Sequence, residues 1–182
     1  GQEIGGIMEM GQVGRGEHSE IMPFLGHAIE SELSGNMIDL CPVGALTSKP
    51  FRYKARSWEL RRTPSVSPHD GLGRNIEIHS KNGTVLRVVP RDVEAINDCW
   101  LSDRERFAYE GLNAADRLQR PMIKQNDRWR ECDWQYALDF AAQALKAVKD
   151  KRGASELGAL ATAHATVEEL FLLQKLVRGL DS

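Results

Sequence analysis

The sequence contains few cysteines, and no two of them are close together. Cys41, Cys99 and Cys132 are the three cysteines in 182 residues, and no CxxC pair occurs. An odd count at wide spacing argues against the disulfide framework of a small secreted domain. We therefore expect reduced thiols in a cytoplasm-like compartment. A zinc site is not indicated either, because such sites draw their ligands from closely spaced Cys and His pairs.

Long apolar runs and an excess of one charge are also missing. No run approaches the ~20 apolar residues that cross a bilayer, so we expect no direct membrane insertion. Lys plus Arg is 24 and Asp plus Glu is 26, which gives no electrostatic argument for nucleic-acid binding. The first residues, GQEIGGIMEM, lack both the pattern of a secretory signal and an initiator Met. Because the chain also stops within a helical pattern, we expect a fragment of a longer protein.

Hydrophobic patterning predicts different structures in the first two parts of the chain. Residues 1–57 are rich in glycine and predict turns, short strands and short helices. In residues 58–114, the alternating stretch NIEIH, an NG turn and the β-rich stretch TVLRVVP predict a hairpin over residues 75–90. We expect His79 to face solvent on this hairpin.

The third part, residues 115–182, changes to a helical period. Asp133 precedes apolar residues at helical spacing and is expected to cap a helix. The stretch from Leu157 to Thr162 then predicts a strand, and Thr166 with Glu169 forms a capping box before a second helix. Helix, strand and helix indicate the beginning of an α/β domain, so the predicted class for the whole chain is α+β.

Basic and aromatic residues alternate where the first part joins the second. They are Lys49, Arg52, Lys54, Arg56, Arg61 and Arg62, interleaved with Phe51, Tyr53 and Trp58. Such mixtures bind single-stranded nucleic acid in some proteins. The balanced overall charge favours a docking or solvated face and no nucleic-acid partner.

The stretch DLCPVGALTSKP, residues 39–50, contains the candidate site residue. Cys41 is followed at once by Pro42, and then by the small residues Gly44 and Ala45. Small residues let the backbone approach a metal cluster, and a cysteine followed by proline is common as the last ligand of a ferredoxin-type 4Fe-4S cluster. These residues alone leave two interpretations open, a lone cluster ligand or a buried structural cysteine.

The longer stretch from Ser31 to Val66, which begins SELSGNMIDLCPVGALTSKP, resembles the large iron–sulfur subunit (75 kDa type) of respiratory NADH:quinone oxidoreductase, or complex I, in its bacterial form. The resemblance continues through residues 75–113, 117–123 and 162–180, and so extends along nearly the whole chain. In that family, a CxxCxxC before the position of Gly1 supplies three thiolates of a 4Fe-4S cluster, and the cysteine of CPVGAL supplies the fourth. The resemblance therefore implies that Cys41 is the fourth ligand.

The same resemblance implies a domain for each part of the chain. Residues 1–57 would be the end of a ferredoxin-like iron–sulfur domain. Residues 58–114 would be a 4Fe-4S domain of the molybdopterin-oxidoreductase type without its cluster cysteines. Residues 115–182 would begin a molybdopterin-oxidoreductase-like α/β domain.

The implied function is electron transfer from NADH along 4Fe-4S and 2Fe-2S clusters toward quinone, within a proton-translocating enzyme. The 2Fe-2S cluster and further 4Fe-4S clusters would lie upstream of this chain, and His18 and His27 come after that region. The implied partners are other subunits of the peripheral arm, including the NADH- and flavin-binding subunit. The implied location is the cytoplasmic face of the bacterial inner membrane. Alone, the fragment would be inactive and bind no cluster.

A second set of positions matters because its cysteines are missing. Some bacterial members of the family carry an extra cluster on four cysteines, and Ser67, Asp70, Arg74 and Ser102 stand in those places here. Arg74 is permanently cationic and cannot bind iron, so no extra cluster is expected. We expect Arg74 to pair with Asp70 or Asp103 in the vacated space. Cys99 and Cys132 are interpreted as structural cysteines.

Two other functions remain open at this point. A molybdopterin-dependent oxidoreductase, such as an NAD-linked formate dehydrogenase, shares the organisation of residues 58–182 but normally carries the missing cluster cysteines. A non-catalytic scaffold that docks neighbouring subunits would need no cofactor in this region. His164 stands beside a helix start without a partner motif and is not a predicted metal ligand.

Overall fold

The computed structural model of the chain describes residues 1–23, 26–69 and 71–181. The chain divides into two compact units, Gly1–Ala115 and Asp116–Ser182. Helices and small antiparallel sheets are mixed in it, which confirms the predicted α+β class. In the part of the chain that is described, no helix is long and apolar enough to cross a membrane.

The first unit consists of short elements. Its helices are α1 (Gln2–Gly5), α2 (Asn36–Leu40) and α3 (Asp103–Phe107), and 3₁₀ turns cover Gly16–His18, Ser57–Glu59 and Ala108–Leu112. Its strands are β1 (Met10–Val13), β2 (Glu20–Pro23), β3 (Arg61–Val66), β4 (Asn75–Lys81) and β5 (Thr84–Pro90). Strands β1 and β2 pair with each other, and β3, β4 and β5 form an antiparallel sheet in that order.

The hairpin predicted over residues 75–90 is confirmed as β4 and β5. Asn82 has φ 52° and Gly83 has φ 80°. Positive φ at both central residues is what a type I′ turn requires, and it explains why an Asn-Gly pair stands there. The apolar side of this sheet forms the core of the unit, where Ile76, Val88, Leu101 and Tyr109 pack together.

His79 contradicts the prediction of a solvent-facing side chain. Its exposed fraction is 3%, and Arg87 Nε donates to its Nδ1 at 2.8 Å. The ring proton is then on Nε2, 2.7 Å from Oε2 of Glu77. The prediction was wrong because the second face of the hairpin is also covered: Phe51 lies against the Arg87 guanidinium, 4.4 Å from ring centroid to Cζ. Burial is the main cause that lowers the pKa of His79.

The second unit contains a hairpin and two longer helices. The hairpin strands are β6 (Met122–Gln125) and β7 (Arg128–Glu131), and the helices are α4 (Trp134–Arg152) and α5 (Val167–Gly179), with a 3₁₀ turn at Ala154–Glu156. Asp133 caps α4 by accepting from the Tyr136 N–H at 2.8 Å. Thr166 and Glu169 form the predicted capping box of α5. Both helix starts are therefore confirmed.

The predicted strand over residues 157–162 was wrong. The structure assigns no strand there, and no ladder pairing in the described chain includes these residues. Leu160 is fully exposed. A strand is defined by a hydrogen-bonded neighbour, and an apolar sequence without that neighbour remains extended but unpaired. The domain boundaries at residues 57 and 114 stay predictions.

Candidate functional site

Cys41 lies where helix α2 ends and an amide-rich loop begins. Its N–H still donates to the Met37 carbonyl at 3.1 Å, while its own φ and ψ, −77° and 104°, are extended. The loop then turns at Gly44, which has φ +68° and so favours glycine. This geometry brings the backbone of residues 43–46 around the thiol.

The loop amides stabilise the thiolate form of Cys41. The backbone hydrogen bond from Leu46 contributes most to a lowered pKa of the thiol. Partial burial opposes that effect, and backbone hydrogen bonds from Val43, Ala45 and Gly44 add to it. A thiolate is the form that binds metal, and N–H groups directed at sulfur tune a metal–sulfur centre. The residues around Cys41 therefore fit a cluster ligand.

Cys41 would be a single ligand of such a cluster. In the described ranges, no three His, Cys, Asp or Glu side chains lie close enough together to hold a metal ion. His18, which is close to Glu17, and His164 are both exposed. A four-iron cluster needs about four protein ligands, so the other ligands would have to come from outside these residues.

Helix α2 is held by the side chain of its first residue. Asn36 is buried, and its Nδ2 donates to the Leu101 carbonyl at 2.8 Å while its Oδ1 accepts from the Leu101 N–H at 3.0 Å. The same Oδ1 accepts from Arg106 Nη2 at 3.2 Å. A polar residue in the motif before Cys41 thus connects α2 to residues far along the chain.

One ion pair and two hydrogen bonds add to this attachment. Arg106 Nη2 lies 2.6 Å from Oδ2 of Asp39, and the guanidinium side chain is 5% exposed. Asp103 accepts from the Gly35 N–H at 2.7 Å and from the Ser34 hydroxyl at 2.5 Å. Gly35 has no room for a side chain, because a Cβ would lie 2.7 Å from both Arg106 Cδ and Asp103 Oδ1. Each polar residue of the SGNMID stretch therefore has a partner on α3 or just before it.

Ser67, Arg74 and Ser102, which the resemblance aligns with cysteines of a second cluster, surround the buried carboxylate of Glu105. Arg74 Nη1 lies 2.5 Å from Oε2 of Glu105, and the side chain of Glu105 is completely buried. Ser102 Oγ donates to the same oxygen at 2.7 Å. Burial alone would raise the pKa of Glu105, but hydrogen bonds from Ser102, Arg74 and Ser67 outweigh it and lower that pKa.

This arrangement excludes one of the two expected partners of Arg74, namely Asp103. The structure pairs Arg74 with Glu105, whereas Asp103 is directed to α2; Asp70 lies outside the described residues. Glu105 was not predicted as a partner, although the spacing of Ser102 and Glu105 is that of a capping box, which the structure confirms. That signal could have located the residue at the start of α3.

The two remaining cysteines differ in their surroundings. Cys132 is partly buried, and its Sγ lies 3.7 Å from the Pro121 carbonyl. Cys99 is exposed and packs in no core, so its interpretation as a structural cysteine was wrong.

In the basic and aromatic stretch before β3, Tyr53 and Trp58 are exposed by 95% and 80%, as a docking or solvated face requires.

Comparisons with known proteins cover the chain in three successive sections. A ferredoxin-like domain of NADH-quinone oxidoreductase subunit 3 matches residues 1–47. The 4Fe-4S domain of the NADH-ubiquinone oxidoreductase NDSU1/NuoG-like family matches residues 60–110. A molybdopterin oxidoreductase family matches residues 117–182.

Whole-chain relatives carry one consistent description. The NADH-quinone oxidoreductase G subunit of Rickettsia conorii is 46% identical over 99% of this chain, and the matched region is 26% of that protein. The NADH-ubiquinone oxidoreductase 75 kDa subunit of Reclinomonas americana is 39% identical over 99% of the chain and 26% of its own length. The chain belongs to the NuoG-like, 75 kDa subunit family of NADH-quinone oxidoreductase. It spans about a quarter of the length of these relatives.

The mitochondrial NADH dehydrogenase iron–sulfur protein 1 of Solanum tuberosum is 43% identical over 96% of the chain, and the matched region is 24% of that protein. Within residues 60–110, matched by a 4Fe-4S domain, this NuoG-like chain has Cys99 as its single cysteine. Because Arg74 and Glu105 occupy the interior there, these residues do not fit a cluster.

Proposed function

We propose that Cys41 donates the fourth thiolate to a 4Fe-4S cluster of the electron-transfer subunit of NADH:quinone oxidoreductase. The observation that carries the proposal is the position of the Cys41 thiol among the amides of residues 43–46, at the end of an anchored helix. The other three thiolates would come from a CxxCxxC elsewhere in the same polypeptide. When bound, the cluster supplies one-electron transfer between neighbouring redox centres.

The residues around Cys41 have a binding and orienting role in this function. Backbone hydrogen bonds from Leu46, Val43, Ala45 and Gly44 lower the pKa of the Cys41 thiol, and these amides would direct partial positive charge at a bound cluster. No proton transfer by a side chain is required. The isolated segment is then inactive, since it contributes a ligand rather than a complete centre.

The finer parts of the function belong to the same proposal. Electrons from NADH would pass through this subunit toward quinone, within a proton-translocating complex. The subunit would contact other peripheral-arm subunits, including the one that binds NADH and flavin. It would lie at the cytoplasmic face of the bacterial inner membrane, and its upstream part would hold a 2Fe-2S cluster and further 4Fe-4S clusters. The names of the relatives support this assignment.

Removal of single sulfurs in the intact enzyme tests the proposal. In the assembled complex with full-length subunit, Cys41→Ser is expected to abolish or alter one tetranuclear EPR signal. Cys132→Ser and Cys99→Ser are matched controls, because neither cysteine stands in a CPVGAL sequence, and both should leave every signal unchanged. An unchanged spectrum in the Cys41 variant would remove the proposed function.

For residues 58–114 a second role is favoured by a specific observation. Their interior holds the Arg74–Glu105 pair instead of a ligand set, so this part would serve as a scaffold without a cofactor. A molybdopterin-dependent oxidoreductase is less well supported, since the whole-chain relatives are named as NADH-quinone oxidoreductase subunits. Molybdenum found at stoichiometric amounts in the purified complex would favour that alternative.

A further inference from the structure

Helix α2 is too short to fix the position of Cys41 by itself. It contains five residues, and its N-terminus has no side-chain cap. Helices of this length are not stable alone, because nucleation is costly and few hydrogen bonds repay it. The direction in which Cys41 leaves the helix must therefore depend on what α2 packs against.

Helix α2 is attached to α3. We name this set of contacts the α2–α3 contact and define it by Asn36, Asp39, Asp103 and Arg106. Asp103 receives the Gly35 N–H at 2.7 Å, and Arg106 bridges Asn36 and Asp39 at 3.2 and 2.6 Å. The Asp103 N–H donates to the Glu32 carbonyl at 2.7 Å. Within this contact, Asp39 lies two residues before Cys41 in the sequence.

The opposite attachment of α3 is to the three-stranded sheet. Glu105, next to Arg106 in sequence, accepts from Arg74 and Ser102, and Arg74 directly precedes β4. Leu101, with an exposed fraction of 1%, joins the apolar core with Ile76 and Val88. Helix α3 is thus fixed to the sheet on one side and binds α2 on the other.

We propose that Arg106 and Asp103 are positioning residues for Cys41, and that residues 58–114 serve to hold the cluster ligand of the preceding part in place. The inference rests on the proposed function for the identity of the ligated group. The geometry of the α2–α3 contact does not depend on that proposed function. The Arg106 side chain is 5% exposed, so removal of the Asp39 charge leaves a buried guanidinium uncompensated. Removal of Arg106 takes its donors away from both Asn36 and Asp39, so either change loosens or opens this contact. Here the contact that opens is the one that carries Cys41.

The test compares variants of the full-length subunit in the assembled complex. Arg106→Met removes the guanidinium and keeps a similar stem, and Asp39→Asn keeps the shape but removes the charge from a partly exposed position. Both are expected to change the line shape and the midpoint potential of the one cluster signal that Cys41→Ser abolishes, and to leave the other clusters unchanged. Amide hydrogen exchange in residues 36–41 should accelerate, on the order of tenfold for Arg106→Met.

Lys81→Met is the matched control, because it breaks a more exposed ion pair of the same unit, Lys81 with Glu59 at 2.8 Å. It should change neither the potential nor exchange in α2. If Asp39→Asn and Arg106→Met leave that cluster's potential and the α2 exchange at wild-type values, the positioning role is refuted.

The two proposals fail in different ways. If Cys41→Ser leaves every cluster signal intact, the ligand assignment is lost, yet faster exchange in α2 of Arg106→Met would still support the α2–α3 contact. If Arg106→Met prevents assembly, Asp39→Asn decides the question alone, since its side chain is 37% exposed and the substitution is isosteric.

Discussion

Asn36 and Leu101 exchange two hydrogen bonds across a separation of 65 residues, one in each direction. The side-chain amide of Asn36 therefore hydrogen-bonds to both the N–H and the carbonyl of Leu101, as a neighbouring strand would. Because both backbone groups of Leu101 are buried, they have no water to replace this partner. The pair connects the helix that ends at Cys41 to the core of the sheet.

Substitution of Asn36 should be costly. Asn36→Ala leaves the Leu101 N–H and carbonyl without their partner, and we expect the free energy of unfolding to fall by about 2–4 kcal/mol. Urea unfolding of the chain measures this change. Asn113→Ala is a matched control, since Asn113 makes a single exposed hydrogen bond to the Val85 carbonyl at 3.1 Å, and it should cost less than about 1 kcal/mol. Equal losses in the two variants would contradict the special role of Asn36.

The Glu105 carboxylate should make stability depend on acid pH. Its pKa is lower in the folded chain than the ordinary 4.5, so it stabilises the fold above pH 4.5 and this contribution disappears as pH falls through the folded pKa. Glu105→Gln is expected to cost about 2–4 kcal/mol at pH 7. The difference in unfolding free energy between wild type and Glu105→Gln should shrink steadily below pH 4.5.

Glu59→Gln serves as the comparison for that experiment. Glu59 pairs with Lys81 at the surface, where its side chain is 37% exposed, so its loss should have a much smaller effect on the urea midpoint than the loss of Glu105. A Glu105→Gln difference that stays constant from pH 7 to pH 3 would show that the ionised carboxylate is not what stabilises the site.

The buried imidazole of His79 should make folding stability depend on pH below 6.5. Its pKa is below the ordinary 6.5, mainly through burial. At pH above 6.5 the ring is neutral in both the folded and the unfolded chain. As pH falls from 6.5 toward the folded pKa, protons bind the unfolded chain first and stability is lost. His79→Gln should remove this slope below pH 6.5, measured as urea midpoints relative to wild type; an unchanged slope would contradict the burial of a neutral ring.

The loop after Cys41 should be sensitive to its glycine. Gly44→Ala meets no atoms within 4 Å, so the expected effect is conformational: a φ of +68° costs an alanine about 1 kcal/mol. The loop amides would then move away from the sulfur and the Cys41 thiol pKa should rise, which the pH dependence of alkylation in the metal-free chain reports. Gly111→Ala also has open space but no positive φ, and it should leave alkylation unchanged.

Local sequence signals predicted the features that depend on a few neighbouring residues. The Asn-Gly turn, the Asp133 cap and the Thr166 capping box are each confirmed, because turn and cap geometry is set by side chains within about four positions of one another. The pattern that predicts a cluster ligand at Cys41 is local in the same way. The capping box at Ser102 has the same local signal, and its Glu105 could have been predicted from it.

The incorrect predictions involve residues whose environment comes from distant parts of the chain. His79 is buried because Phe51 and Arg87 cover the second face of the hairpin, and residues 157–162 are unpaired because strand formation needs a neighbour that the residues themselves do not specify. Asp103 was expected to pair with Arg74 and Glu105 was not, because sequence spacing alone does not distinguish two carboxylates two positions apart.

By itself, the sequence determined the family, the hairpin over residues 75–90, the caps of α4 and α5, and the one cysteine predicted to be a cluster ligand. Only the tertiary structure decided which charges are paired and which faces are covered: that Asp103 and Arg106 turn to the helix of Cys41, and that Glu105 turns to Arg74. The physical reason is the separation along the chain between the residues that interact. Backbone conformation follows from neighbours in sequence, whereas burial and ion pairing depend on residues that only folding brings together.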